Sequence, residues 1–304
     1  MAPNDNCAAR ADLGRKAKER KALRMDIPRR DLELGLDPAN VPRDWANDNA
    51  FMTSFLNALS LLFPEGEKFF VESVKQARDK VDDPALQQEI VGFIGQEAMH
   101  GKEHRAFNEL LVAHGYRSAP RVDRQLRGFL KRVRRVLSPM SQLAVTTALE
   151  HFTAMLAEQL LRDERMHGEI DPSVRGLWLW HALEESEHKA VAFDVYRAAG
   201  GGYVRRIAIM LLTTVFFFLV QGLTHARLMV DRKILWKPWR WVRGATRMWI
   251  WPGYFTRLLP AYLAYFRPGF HPDDRDTRTL LATWRDMLFG EAGALRERVR
   301  LIAS

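Results

Sequence analysis

Two short stretches carry side chains of the types and spacing that hold metal ions. Residues 181 to 188 read His181-Ala182-Leu183-Glu184-Glu185-Ser186-Glu187-His188. Positions i, i+4 and i+7 of a helix share one face, so His181, Glu185 and His188 form a stripe of imidazole, carboxylate and imidazole. Residues 97 to 104 repeat the theme: Glu97 and His100 make Glu-x-x-His, with His104 one turn further on. Alone, either stretch is also explained as a solvated charged face. Together they supply half of a dimetal centre in a helix bundle, whose other half is one inward Glu from each of two further helices. Those Glu residues should precede each pair by roughly 30 residues, where Glu67 and Glu150 stand. The candidate metal ligands are therefore Glu67, Glu97, His100, Glu150, Glu185 and His188. His104 is a further ligand, a group behind the ligands or a proton shuttle, against the plainer reading of a packed core histidine.

Helices must position these side chains. Apolar spacing predicts a first core helix over about Asn49 to Phe63, interrupted or kinked by Pro64 and restarting before Glu67. A second helix is expected over 85–114, a basic amphipathic one over 121–135 and another over about 141–166. Leu177 to Ala199 contains no Gly or Pro and reads as one unbroken helix. Glu65 and Glu158 are weaker ligand candidates, and His151 points about 100 degrees away from Glu150. The expected architecture is all-α. A polar extension over 1–47 precedes a dimetal four-helix bundle over 48–200. A hydrophobic, Trp- and Arg-rich helical region follows over 201–304.

Composition narrows the functional classes. Hydrophobic content of 47% is ample for a core, and Cys7 is the only cysteine. No internal disulfide and no cysteine-based zinc or iron-sulfur site can form. The net charge of +9 calls for an acidic partner. Arg15, Lys16, Lys18, Arg20, Lys21 and Arg24 form a basic arm, read as a flexible tail in preference to a binding arm. No secretory signal pattern is present at the N-terminus. The uncharged run Ile207 to Leu223 sits between cations on both sides, which disfavours a simple crossing. It is expected either to be buried in protein or to lie in or dip into one leaflet. Trp236, Trp239, Trp241, Trp249 and Trp251 alternate with cations, a mixture suited to an anionic headgroup region. The expected location is the cytoplasm, including the periphery of the inner membrane. No nucleic-acid module is recognisable, and a homodimer is an open expectation.

The stretches Phe63-Pro64-Glu65-Gly66-Glu67-Lys68-Phe69-Phe70, Gln96-Glu97-Ala98-Met99-His100, Glu150-His151, His181 to His188 and Arg267-Pro268-Gly269-Phe270-His271-Pro272 resemble a bacterial family of predicted metal-dependent hydrolases. The likeness covers about residues 48 to 275. The His181, Glu185, His188 triplet is also similar to the extra-histidine helix of ferritin-like di-iron arylamine N-oxygenases. These resemblances imply a ferritin-like four-helix site with the six ligands above and His181 as a seventh.

Four carboxylates balance two divalent cations, so the loaded site can be buried without a large charge penalty. Imidazole suits iron, with manganese and zinc as alternatives. His181, itself a candidate ligand, and His104 are the candidate catalytic side chains. The expectation is a di-iron oxidase or oxygenase using dioxygen and an electron donor on a small hydrophobic or membrane-derived substrate. The alternative is a hydrolase, in which two metals generate a hydroxide and stabilise an attacked ester or phosphate. Metal storage is the non-enzymatic reading.

Overall fold

The computed structural model describes residues 26–301, so Cys7 and the basic arm from Arg15 to Arg24 lie outside the described residues. The fold is all-α. Four long helices surround the candidate centre: α1 (Ala50–Ala77), α2 (Pro84–Ala113), α4 (Pro139–Arg162) and α6 (Pro172–His188). They close a ring in which α1 meets α2 and α4, and α6 meets α2 and α4. Each starts at a side-chain cap. Asn49 accepts from the Phe51 and Met52 amides, and Asp83, Ser138 and Asp171 cap helices that begin with Pro84, Pro139 and Pro172. Proline at a first turn sacrifices only an amide that has no helical partner.

Two expectations about helix continuity are corrected. Pro64 does not interrupt α1, which runs through it. Proline lacks the amide that would bond the Ser60 carbonyl. Asn108 on α2 supplies the missing donor, its Nδ2 lying 2.9 Å from the Ser60 oxygen. Conversely, the run from Leu177 to Ala199 is not one helix: α6 ends at His188 and α7 spans Val191–Ala198. Between them, Lys189 donates to the Arg275 carbonyl at 2.7 Å and to Thr277 at 3.0 Å. A tertiary contact thus overrides a locally permissive sequence.

The segment before α1 is packed into the protein. Leu32 is fully buried in β1 (Arg30–Leu32), which pairs antiparallel with β2 (Val299–Leu301). Trp45 stacks on Trp178 at 5.5 Å and donates to Asn57 at 3.0 Å. Between α2 and α4 lies α3 (Ala119–Val136), a basic helix that buries Val122, Leu126 and Leu130. Beyond the short α5 (Glu164–Gly168), the chain leads into α6.

Helix α8 (Tyr203–Asp231) packs along α1 and α4. Gln221 donates to the Phe55 carbonyl, and His225 meets the Phe51 carbonyl. The reading of this run as a buried helix is corrected: it is long and apolar enough to cross a membrane, yet only 22% of its most apolar window is buried. Met210, Thr213, Gln221 and Leu228 face the protein, while Leu211, Val215, Phe218 and Leu219 face outward. Arg206 anchors its start against the rings of Phe193, Tyr203, Tyr265 and Phe270. The remaining helices, α9 (Val242–Trp249), α10 (Leu259–Ala264) and α11 (Arg278–Phe289), fold back onto this body.

Asn108 both accepts from the Ser60 hydroxyl and serves its carbonyl. Asn108→Ala should therefore destabilise the fold by about 1–3 kcal/mol, the cost of leaving a buried acceptor unpaired. Urea denaturation measures it, and an unchanged midpoint would contradict this account of the continuous helix.

Candidate metal centre

The four helices bring the expected ligands together in two adjoining groups. Glu67, His100 and His181 form one, and Glu97, Glu150, Glu185 and His188 the other, with candidate ligand atoms in each group within 4.8 Å of one another. Glu185 lies between them: its Oε1 is 2.9 Å from His181 Nε2 and 3.6 Å from His100 Nδ1, and its Oε2 is 3.6 Å from His188 Nε2. Glu97 sits similarly, with Oε1 3.0 Å from His188 Nε2 and 4.0 Å from His100 Nδ1. Glu97 and Glu185 occupy positions from which a carboxylate can bridge two cations, and Glu67 and Glu150 stand at opposite ends.

The donor set fits metal better than it fits an empty polar core. Both oxygens of Glu67, Glu97 and Glu150, Oε2 of Glu185, Nδ1 of His100 and Nε2 of His188 are buried without a hydrogen-bond partner. Buried polar atoms are nearly always satisfied, and these orphans all belong to one cluster. Burial, followed by repulsion from Glu97, Glu185 and Glu150, pushes the Glu67 carboxyl well above its ordinary range. Burial and the charges of Glu185 and Glu97 do the same to Glu150. Burial takes Glu97 up to about 7 against the pull of His188. Burial alone would raise Glu185 too, but the facing His181 and His188 rings hold it well below the usual range. Divalent cations would relieve the mutual repulsion that these shifts express.

Each imidazole is oriented from behind, as metal-bound histidines are. His188 Nδ1 donates to Gln96 Oε1 at 2.9 Å, because Gln96 Nε2 is committed to Glu187 and the Pro28 carbonyl. His100 Nε2 donates to Glu184 at 3.1 Å, leaving Nδ1 toward the centre. The third case follows from Asn108. Ser60 gives its proton to Asn108 Oδ1, so it must accept from His104 Nδ1 at 2.8 Å. His104 Nε2 then accepts from His181 Nδ1 at 2.6 Å, and His181 Nε2 presents its lone pair to the centre. Burial first, then His181, depresses His104, consistent with a neutral ring. His104 thus stands behind His181, outside both ligand groups.

The sequence reading missed the layer behind the ligands. Arg30 reaches Glu184 at 2.7 Å and Glu187 at 2.9 Å, and Arg285 reaches Glu187 at 2.6 Å. Burial pushes Glu184 up to about 8 despite Arg30. The acidic run containing Glu185 held the signal for Glu184 and Glu187, but nothing local identifies Arg30 as their partner. Gly101 faces the centre, where a Cβ would lie 3.1 Å from Glu67 Oε2. The weaker candidates lie elsewhere. Glu65 pairs with Arg127, Glu158 with Arg162 and Arg275, and His151 with the Ala261 carbonyl.

Two apolar spaces adjoin the centre. One, of about 120 Å³, includes Phe63, Thr153, Leu156, Trp178, His181 and Glu185 in its wall. The other, of about 530 Å³, ends at Glu67.

His100→Ala and His188→Ala should each reduce metal content below a full pair by elemental analysis, because each removes an imidazole donor from one group. Retention of the full pair in both would refute the ligand assignment. Gln96→Leu leaves every ligand in place but releases His188 Nδ1. Metal affinity, measured by competition with a chelator, should fall roughly 10- to 100-fold.

No curated protein and no solved structure is significantly similar to this chain, so the likeness to arylamine N-oxygenases gains no support. The family model described as predicted metal-dependent hydrolase matches residues 28–276, a span that includes every candidate ligand. That finding overturns the expectation of an oxidoreductase. The extra imidazole of His181 enriches the donor set but does not itself select redox chemistry, because the same nitrogen serves a hydrolytic metal. By its matched span the chain belongs to the family of predicted metal-dependent hydrolases.

Proposed function

We propose that the protein is a hydrolase working through two divalent cations held in the buried Glu/His cluster. The observation that carries the reading is the set of orphaned carboxylate oxygens facing three imidazoles, each fixed from behind. Family membership supports hydrolysis over other uses of such a centre. Glu67, His100 and His181 would hold one cation, and Glu150 and His188 the other, with Glu97 and Glu185 between them. The mixed carboxylate and imidazole donors suit manganese, iron or zinc. When bound, the pair supplies Lewis acidity and an activated water for attack on an ester or phosphoester.

The chain's own side chains do the rest. Four carboxylates neutralise two divalent charges, so the centre can sit in an apolar interior. Gln96, Glu184 and His104 hold the three imidazoles in the tautomers that face inward. His181, by way of His104 and Ser60, is tied to Asn108 on the far side, so its ring cannot turn away without breaking the chain of hydrogen bonds. Phe63 and Trp178 pack against His181 and His104 and keep bulk water from that side. Glu67 and Glu185 border the adjoining spaces and are the carboxylates nearest an entering substrate.

Protein freed of metal and reloaded separately with manganese, iron or zinc should cleave a simple carboxylic ester or phosphoester with at least one of them. Glu97→Ala should reduce kcat by about a hundredfold or more, as expected when a carboxylate that holds the Lewis-acidic pair is lost. Reloaded protein that binds its metals fully yet cleaves neither ester type would contradict the proposal.

A further inference from the structure

The larger apolar space runs from the metal centre to the surface between α1, α3, α4 and α8. Its walls include Leu62, Phe70, Leu130, Val145, Leu149 and Phe152, and its charged lining residues are Glu67 and Arg132. Val136, Leu212 and Phe216 line it and are themselves exposed, so they form its mouth. A volume of about 530 Å³ is that of an organic-ligand pocket. The mouth opens on the outward face of α8, where Leu211, Val215, Phe218 and Leu219 are exposed. Such a contiguous apolar patch marks an interaction surface.

The surroundings of the patch say what covers it. On one side Phe216 meets Phe129 of α3, whose exposed Lys131, Arg132 and Arg135 make no ion pair among the described residues. On the other side Phe218 meets Trp249, near exposed Trp236, Trp239 and Trp251 and the exposed cations Arg240 and Arg243. Aromatic rings and cations around an apolar centre complement an anionic bilayer. A second copy of the chain would instead set these cations against their own kind.

The lining also limits the substrate. Between Arg132, which is exposed, and Glu67 at the centre, the groove wall is apolar and offers a charged headgroup no partner. The smaller space of about 120 Å³ shares Leu59, Phe63, Thr153 and Leu156 with the groove and reaches His181 and Glu185. A long chain fits on one side of the centre and a small group on the other.

We propose that the α8 face docks on anionic membrane and that the groove takes up neutral long-chain carboxylic esters dissolved in it. This rests on the hydrolytic reading above. Water adds across the ester, the bond between acyl carbon and alcohol oxygen breaks, the acyl carbon gains the hydroxyl and the alcohol oxygen gains the proton. A fatty acid and a small alcohol leave.

The test uses the full metal-loaded protein with phosphatidylglycerol or phosphatidylcholine vesicles. The protein should float with phosphatidylglycerol, and the double variant Leu212→Glu, Phe218→Glu should bind roughly tenfold less or weaker still while keeping its circular dichroism. Methyl palmitate should displace Nile red from the protein, and Leu149→Trp should weaken that displacement. Methyl palmitate should be cleaved with a kcat/KM at least about a hundredfold above that of methyl acetate, since about three to four methylenes buried in the transition state at roughly 0.8 kcal/mol each already give that factor. Leu149→Trp should narrow that ratio. Equal flotation of the double variant, or a dimer that ignores vesicles, would overturn the docking surface. Cleavage of acetate without displacement by palmitate would overturn the groove and leave the hydrolase standing. Displacement with no cleavage of either ester would support the groove and sink the hydrolase alone.

Discussion

Four carboxylates brought together in an apolar interior repel one another and lose their hydration, a combination no folded chain tolerates without compensation. Much of the structure around α1, α2, α4 and α6 answers that constraint. The imidazoles of His100, His181 and His188 face the acids. Behind them stand Gln96, Glu184 and His104, and behind those Arg30, Arg285, Ser60 and Asn108. The orphaned oxygens at the middle show that protein groups alone do not complete the compensation. Divalent cations would complete it, and binding them to the folded state alone would stabilise the fold.

The same constraint accounts for features that look unrelated. Asn108 lets α1 continue through Pro64, so Glu67 is carried on a rigid helix less than a turn beyond it. Gly101 leaves room for the Glu67 carboxylate on the facing helix. Arg30 comes from the segment before α1, and that segment is held by β1, paired with β2 at the other end of the chain. The two ends of the described chain therefore meet beside the layer that supports the candidate ligands.

Legibility in the sequence followed distance along the chain. The two Glu-x-x-His pairs, with His181 and His104 on the same faces, depend on helical period and were readable. So was the all-α class. The placement of Glu67 and Glu150 required only the spacing of a helix pair. Arg30 and Glu184 are far apart in sequence, and no local pattern joins them. Pro64 was misjudged because the donor that rescues Ser60 lies on another helix. The break after His188 was invisible because its cause is a contact between Lys189 and the C-terminal region. Helix α8 is apolar on both faces, so periodicity did not show that one face would stay outside. The type of reaction was the least legible feature, since the same donors serve oxygen chemistry and hydrolysis.

The central claim is that the buried cluster is a centre for two metal ions. Anomalous X-ray diffraction from crystals of metal-reconstituted protein tests it most directly. The account predicts two strong anomalous peaks, one within reach of Glu67, His100 and His181 and one within reach of Glu150 and His188, with Glu97 and Glu185 between them. Fully reconstituted crystals with no peak among these side chains, or with metal bound only elsewhere on the protein, would contradict it.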